Sequence, residues 1–361
     1  MAKLNRRRLL VTGLGAGASS AAAIAHHATV GTDPVAAKPI QVQVTADATN
    51  IESLFDYDGD VETGGENRLN PPIGNLIQPT IPYNRDISKL LMLCNQLALE
   101  QFQAGERDPR YNGNIRSLPG YSNVLDRYTQ TAAIFVMKDG SNLPVELRVA
   151  RSLLGGPGQN VPVYFGFVLR SAAHNIVVFR GTQTTRDWLA NLQLNQVDYI
   201  QAGVKQGQVH RGFFSLYSTL ATQTLQAVNA LDPSVPCYMT GYSLGGALAT
   251  LAVADLAANN AKLKDQLQLY TYASPRVGNP AFVTFYEKLV PNTYRVINLT
   301  DTVVMVPPSE VRNQEYRHVG QPWSFVFYTG DVAPNHAITL YRAAIDDSFE
   351  QNRVSSSTLS H

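Results

Sequence analysis

The chain has 361 residues, of which 29 are Lys or Arg and 28 are Asp or Glu, giving a formal net charge of +1 at pH 7. That length supports one large domain or two smaller ones with a substantial core. Near-neutral charge with no basic cluster beyond the N-terminus excludes a nucleic-acid footprint. No apolar run reaches the roughly 18 residues of a membrane span.

Residues 1–30 contain MAKLNRRRLLVTGLGAGASSAAAIAHHA: a basic start, a Gly/Ala-rich middle of modest hydrophobicity and a small-residue cleavage pattern at Ala23-Ile24-Ala25. Asn5-Arg6-Arg7-Arg8-Leu9-Leu10 resembles a bacterial twin-arginine export signal. The expected destination is periplasmic or extracellular, with the thylakoid lumen as a further address and an ordinary basic tail as the bland alternative.

Residues 31–84 are rich in Pro, Asn, Gly and Thr and read as an irregular N-terminal extension. Within it, Asp56, Asp58 and Asp60 have the spacing of a calcium loop, but the closing glutamate has no counterpart. A solvated turn is the better reading.

From about residue 86, DISKLLMLCNQLALEQFQ places apolar residues at helical spacing. TAAIFVMKD, VELRVARSL, VPVYFGFVLR and NIVVFRG then read as strands, being rich in β-branched and aromatic residues between Gly, Pro and Asn turns. Residues 210–231 read as a helix stopped by Asp232-Pro233. Beyond it the pattern alternates: strand VPCYMTG, helix SLGGALATLAVADLAANN, strand LQLYTYAS, helix NPAFVTFYEKL, strand TYRVINL. Such alternation predicts an α/β fold with a mostly parallel central sheet and flanking helices. Strands around EYRHVG and PWSFVFYT and a final helix HAITLYRAAID complete a domain at 85–347, followed by a polar tail at 348–361.

Two cysteines, Cys94 and Cys237, do not make a disulfide scaffold, and Cys237 falls in an apolar strand where a buried free thiol is the ordinary outcome. Whether they pair is not fixed by sequence. No Cys/His spacing points to zinc.

TGYSLGG, residues 240–246, contains Gly-x-Ser-x-Gly. On composition alone a chain this long carries that pattern by accident roughly one time in eight, so the bare motif is weak. Its placement is informative, because Ser243 sits between a strand pattern and an alanine-dense helix pattern, where a sharp turn exposes a serine hydroxyl. A serine hydroxyl needs a base to take its proton and an acid group to orient that base. The order on such a sheet is Ser, then Asp or Glu, then His.

His318, His336 and His361 are the candidate bases. His361 ends a polar tail, and His318 lies in a strand-like stretch that favours a structural role. His336 follows TGDVAPN at the edge of a helix, where functional side chains concentrate. Among the acids, Asp255 lies far along the helix after Ser243 and Asp265 precedes a strand at the sheet's other edge. Asp301 comes just beyond the strand YRVINL, at the edge that presents Ser243, with Asp331 as its competitor.

These residues carry a family resemblance. VVFRGTQTTRDWLANL at 177–192, VHRGFFSLY at 209–217, TGYSLGGALATLA at 240–252, and YASPRVGNPAFVTFY through RVINLTDTVVMVPP at 272–308 resemble the class 3 lipases, α/β-hydrolases related to the fungal triacylglycerol lipases. NHAITLYRAAI resembles that family's histidine segment.

The resemblance implies an α/β-hydrolase fold and a serine carboxylic ester hydrolase acting on acylglycerols through an acyl-enzyme, with no metal or cofactor. Ser243, Asp301 and His336 become nucleophile, orienting acid and general base. The backbone N–H groups of Leu244 and Thr182, with the Thr182 hydroxyl, become the oxyanion hole. Arg186, Asp187, Trp188, Leu189 and Leu192 become an amphipathic lid in transient contact with a lipid interface, rather than an ordinary surface helix.

Tyr242 stands where that family usually has His, and Val304 where Pro is frequent. The alternatives are a phospholipase or galactolipase, a soluble esterase for short or aromatic acids, or a lipid-surface binding protein on a hydrolase scaffold.

Overall fold

The central strands are buried at nearly every position, so the sheet is covered on both faces. The computed structural model describes residues 79–137, 161–182, 194–327 and 333–346. All of them belong to one compact unit, Pro39–His361. The proposed export signal, Asp56, Asp58 and Asp60, the expected strand VELRVARSL, Asp331, His361 and the five residues expected to form a lid lie outside the described residues.

The elements run α1 (Arg85–Arg107), β1 (Thr129–Met137), β2 (Pro162–Arg170), β3 (Asn175–Phe179), β4 (Gln196–Gln201), β5 (Val204–His210) and α2 (Arg211–Asn229). They continue with β6 (Cys237–Tyr242), α3 (Leu244–Asn259), β7 (Leu267–Tyr272), α4 (Pro280–Leu289) and β8 (Thr293–Asn298). Last come β9 (Glu310–Val311), β10 (Gln314–Glu315), β11 (Gln321–Phe325) and α5 (Ile338–Ile345). The main sheet has the order β1-β2-β3-β6-β7-β8-β11. Its first two pairings are antiparallel and the other four parallel.

Period two sorts the side chains. In β3, Val177 and Phe179 join the core under α2, α3 and α4, whereas Ile176 and Val178 join the core under α1 and α5. In β7, Leu267 and Leu269 face the first core, and Tyr270 and Tyr272 the second. Burial on both faces is what parallel strands with crossover helices require. β2 changes parity at Gly166, which sits at φ 152° and where an added Cβ would lie 1.8 Å from the Val178 carbonyl oxygen. The strand therefore carries a bulge opposite Ile134 and Phe135.

α1 starts at Asn84, whose side chain accepts from the Ile87 N–H, and it buries Leu90, Leu91, Cys94, Leu97, Ala98 and Phe102. α3 is apolar all round and almost wholly buried, because it is enclosed between the sheet and its neighbouring helices. Its alanines permit that close packing.

One element was not anticipated and two expectations change. β4 and β5 form a separate hairpin, closed by Ala202 and Gly203 at positive φ, that the sequence reading passed over. EYRHVG does not form a strand of its own: only Glu315 pairs, in β10, and Arg317 makes an isolated bridge to Gly278. The final helix is broken, with a 3₁₀ turn at Ala333–His336 before α5. Cys94 and Cys237 are both buried and free, and burial pushes each thiol up to about 12.

Candidate active site

Ser243 is the hinge between β6 and α3. Its backbone is at φ 56°, ψ −128°, a conformation that costs a non-glycine residue on the order of 1–3 kcal/mol. The glycines around it make the turn sterically feasible. A Cβ on Gly241 would lie 2.0 Å from the Gly245 carbonyl oxygen, and one on Gly245 would lie 2.1 Å from that of Phe179. The turn is anchored by the Ser243 N–H donating to the Tyr272 carbonyl at 2.8 Å. Ser243 makes no side-chain cap bond to the helix, so its hydroxyl is left for another partner.

That partner is His336. Its Nε2 lies 2.9 Å from Ser243 Oγ, and its Nδ1 lies 2.7 Å from Asp301 Oδ2. All three side chains are buried. Asp301 follows β8, and its Oδ1 accepts from the Val303 N–H at 2.9 Å, which caps the 3₁₀ turn Thr302–Met305. The Tyr341 hydroxyl donates to Asp301 Oδ2 at 2.7 Å and accepts from the Asn298 N–H at 3.0 Å. Burial and the nearby Asp301 carboxylate hold the Tyr341 hydroxyl well above the usual tyrosine range, so it remains a donor at neutral pH.

Asn298, at the end of β8, ties the acid loop to the base loop. Its Nδ2 donates to the carbonyls of Phe327 at 2.9 Å and Asn335 at 3.1 Å, and its Oδ1 accepts from the Phe327 N–H at 3.0 Å. Asn335 returns a bond from Nδ2 to the Thr300 carbonyl at 3.2 Å. From the other side, the Tyr242 hydroxyl donates to the His336 carbonyl, and the two rings lie 5.1 Å apart. The histidine is therefore held by groups from β6, β8 and α5.

Thr182 and Leu244 flank the serine from two elements. β3 and β6 pair in parallel with Phe179 opposite Gly241, which carries Gly181 alongside Tyr242 and Ser243. A Cβ on Gly181 would lie 3.2 Å from Ser243 Cβ. Thr182 is buried, and among the described residues its Oγ1 has no hydrogen-bond partner. Leu244 is the first residue of α3, where backbone N–H groups have no intrahelical acceptor and the helix end is electropositive.

The rejected candidates have structural explanations. His318 is half-buried, bonds through Nε2 to the Val304 carbonyl at 2.8 Å, and is held well below the usual histidine range by desolvation and then by Arg295 and Arg276. Asp255 accepts from the Tyr217 hydroxyl at 2.6 Å. Asp265 lies in a 3₁₀ turn before β7. Tyr341, Asn298 and the Tyr242 contact escaped the sequence reading. Each acts across the fold, and no local motif announces such a contact.

A parallel sheet with a serine at a strand-to-helix turn, an acid after a later strand and a histidine in the last loop is the arrangement of the α/β-hydrolases. Residues 176–311 match the family described as Lipase (class 3). A Rhizopus niveus lipase is 36% identical over 149 residues, covering 40% of this chain and 38% of that protein. The Fusarium solani secreted mono- and diacylglycerol lipase 1 is 36% identical over 137 residues, covering 37% of this chain and 39% of that protein. The matched stretch thus spans little more than a third of those relatives. Among solved structures, the native Rhizomucor miehei lipase propeptide complex has a TM-score of 0.49 at 21% identity, covering 81% of this chain and 90% of that one.

Proposed function

We propose that the protein is a carboxylic ester hydrolase acting on acylglycerols through an acyl-enzyme. The observation that carries this reading is the buried hydrogen-bonded chain from Ser243 through His336 to Asp301 at a strained strand-to-helix turn. His336 takes the Ser243 proton as Oγ attacks the ester carbonyl carbon. The resulting oxyanion is met by the N–H groups of Thr182 and Leu244 and by the Thr182 hydroxyl. His336 then donates its proton to the departing alcohol, leaving an acyl group on Ser243. Water, deprotonated by His336, attacks that acyl carbon, and collapse releases the carboxylic acid and restores the serine. Asp301 keeps the imidazole oriented and stabilises its cationic form.

Ser243 is only 1% exposed, so an ester reaches it after some part of the surface moves. That burial supports a movable cover, and residues 186–192 are proposed for that role, with Trp188, Leu189 and Leu192 meeting the lipid. The catalytic unit is assigned to 85–347, and residues 1–30 to export. A relative named as secreted favours export without singling out the twin-arginine route.

The test is turnover of p-nitrophenyl esters and emulsified triolein by the wild type and by Ser243→Ala, with phosphatidylcholine and galactolipid as further substrates. The variant is expected to keep its fold and lose ester turnover. Unchanged turnover would overturn the assignment, and faster cleavage of either polar lipid than of triolein would move the substrate class.

A further inference from the structure

Arg180 is buried to 1% exposure just before the segment that carries Thr182. Its guanidinium carbon lies 3.8 Å from the Phe102 ring centroid and 4.4 Å from that of Phe165, so it is clasped between α1 and β2. Nε donates to the Tyr164 carbonyl at 2.7 Å and an Nη donates to the Gly181 carbonyl at 2.7 Å. A planar fork can hold two carbonyls at fixed directions in a way that an ammonium cannot. Burial lowers its pKa to about 9, which leaves it cationic at neutral pH.

The second carbonyl is the consequential one. In a trans peptide the C=O and the next residue's N–H point in opposite directions. Fixing the Gly181 carbonyl therefore fixes the direction of the Thr182 N–H. Gly181 is also the residue pressed against Tyr242 and Ser243: a Cβ there would lie 2.7 Å from the Tyr242 carbonyl oxygen. The peptide has no room to drift toward the serine, and the guanidinium stops it from rotating.

We propose that Arg180 is a positioning residue that locks the Gly181–Thr182 peptide so that its N–H is presented to the oxyanion formed at Ser243. This rests on the hydrolase reading above. Arg180 does not touch the substrate; it acts through the backbone of its two neighbours in sequence.

The experiment compares wild type, Arg180→Lys and Phe102→Leu on p-nitrophenyl butyrate and measures inhibition by phenylboronic acid, which forms a tetrahedral anion on a reactive serine. Arg180→Lys keeps a cation but loses the fork. Its kcat is expected to fall about 100-fold with KM changed less than about threefold, since small displacements of aligned groups cost about that much. The boronate inhibition constant should rise in step with the fall in kcat/KM, a correlation that mere loosening of the fold does not produce.

Phe102→Leu, which removes one clasping ring and leaves the guanidinium, should show the same pattern at about a tenth of the size. It provides the test if Arg180→Lys does not fold. A folded Arg180→Lys with kcat and boronate affinity within twofold of wild type overturns the proposal. So does Phe102→Leu with a lowered melting temperature but unchanged kcat and boronate affinity. If wild type itself hydrolyses no ester, or Ser243→Ala is equally active, the underlying reading fails and this proposal falls with it.

Discussion

Replacing Tyr341 by Phe removes one oxygen and almost no volume, so its effects report hydrogen bonding alone. Two bonds are lost. Asp301 loses the donor 2.7 Å from Oδ2, and the buried Asn298 N–H loses its acceptor at 3.0 Å. A bond to a charged group contributes about 1.5–3 kcal/mol, and an orphaned buried donor costs about 1–3 kcal/mol. Because the two are coupled through one hydroxyl, a combined loss of about 3 kcal/mol is expected.

Asp301 keeps two partners, the Val303 N–H at 2.9 Å and His336 Nδ1 at 2.7 Å, so the carboxylate stays in place with one rotational restraint fewer. On the proposed mechanism, kcat should fall about tenfold, equivalent to about 1.4 kcal/mol of barrier. Urea unfolding of wild type and Tyr341→Phe gives the first quantity, and initial rates on a soluble ester give the second. A loss below about 0.5 kcal/mol together with unchanged kcat would refute the reasoning, because it would mean that the hydroxyl neither restrains Asp301 nor satisfies Asn298.

Gly241→Ala should destabilise the fold by more than about 3 kcal/mol in urea titration, since its Cβ would sit 2.0 Å from a backbone oxygen. Gly203→Ala, at φ +78° with nothing within 4 Å, should cost only about 1–2 kcal/mol and serves as its control. Tyr242→Phe deletes the bond to the His336 carbonyl and should lower kcat about tenfold with KM nearly unchanged; equal kcat would remove Tyr242 from the histidine's support.

Cys94 and Cys237 should be inert to a disulfide reagent at pH 8 and both react in denaturant. Their pKa values are raised in the folded chain, so their stabilising contribution is complete below the unfolded thiol pKa and declines as pH rises above it. Between pH 8.5 and 9.5 each should remove about 1 kcal/mol of stability, and Cys94→Ala/Cys237→Ala should flatten that decline by about 2 kcal/mol.

Much of this architecture was legible because local chemistry and global fold agree. Leu267 and Leu269 alternate with Tyr270 and Tyr272, and each pair found a different core. The pattern places Ser243, Asp301 and His336 each at the edge of an element that it already defines, and the fold brings their side chains into one hydrogen-bonded chain. The β4–β5 hairpin was missed because its strands, QVDYIQ and VKQGQVH, are polar and half-exposed, which weakens the period-two signal. EYRHVG misled for the converse reason. Its Tyr316 and Val319 are buried, but in an irregular segment tied to the rest of the chain by the Arg317 bridge to Gly278 and the His318 bond to Val304.

The contacts that no local pattern announces have a common physical cause. A motif describes neighbours along the chain, whereas the restraints on this site join residues far apart in sequence. Asn298 binds the loop of Asn335, Tyr341 binds Asp301, and Tyr242 binds the backbone of His336. The glycines stand between these cases. Gly241 and Gly245 are visible in the motif, but the carbonyl that excludes a side chain at Gly245 belongs to Phe179 on β3. The motif is therefore the local trace of a three-body contact among β3, β6 and α3. That contact brings Gly181 and Thr182 beside Ser243, and it is also why Arg180, which holds the β3 end of it, bears on the chemistry without being part of any signature around the serine.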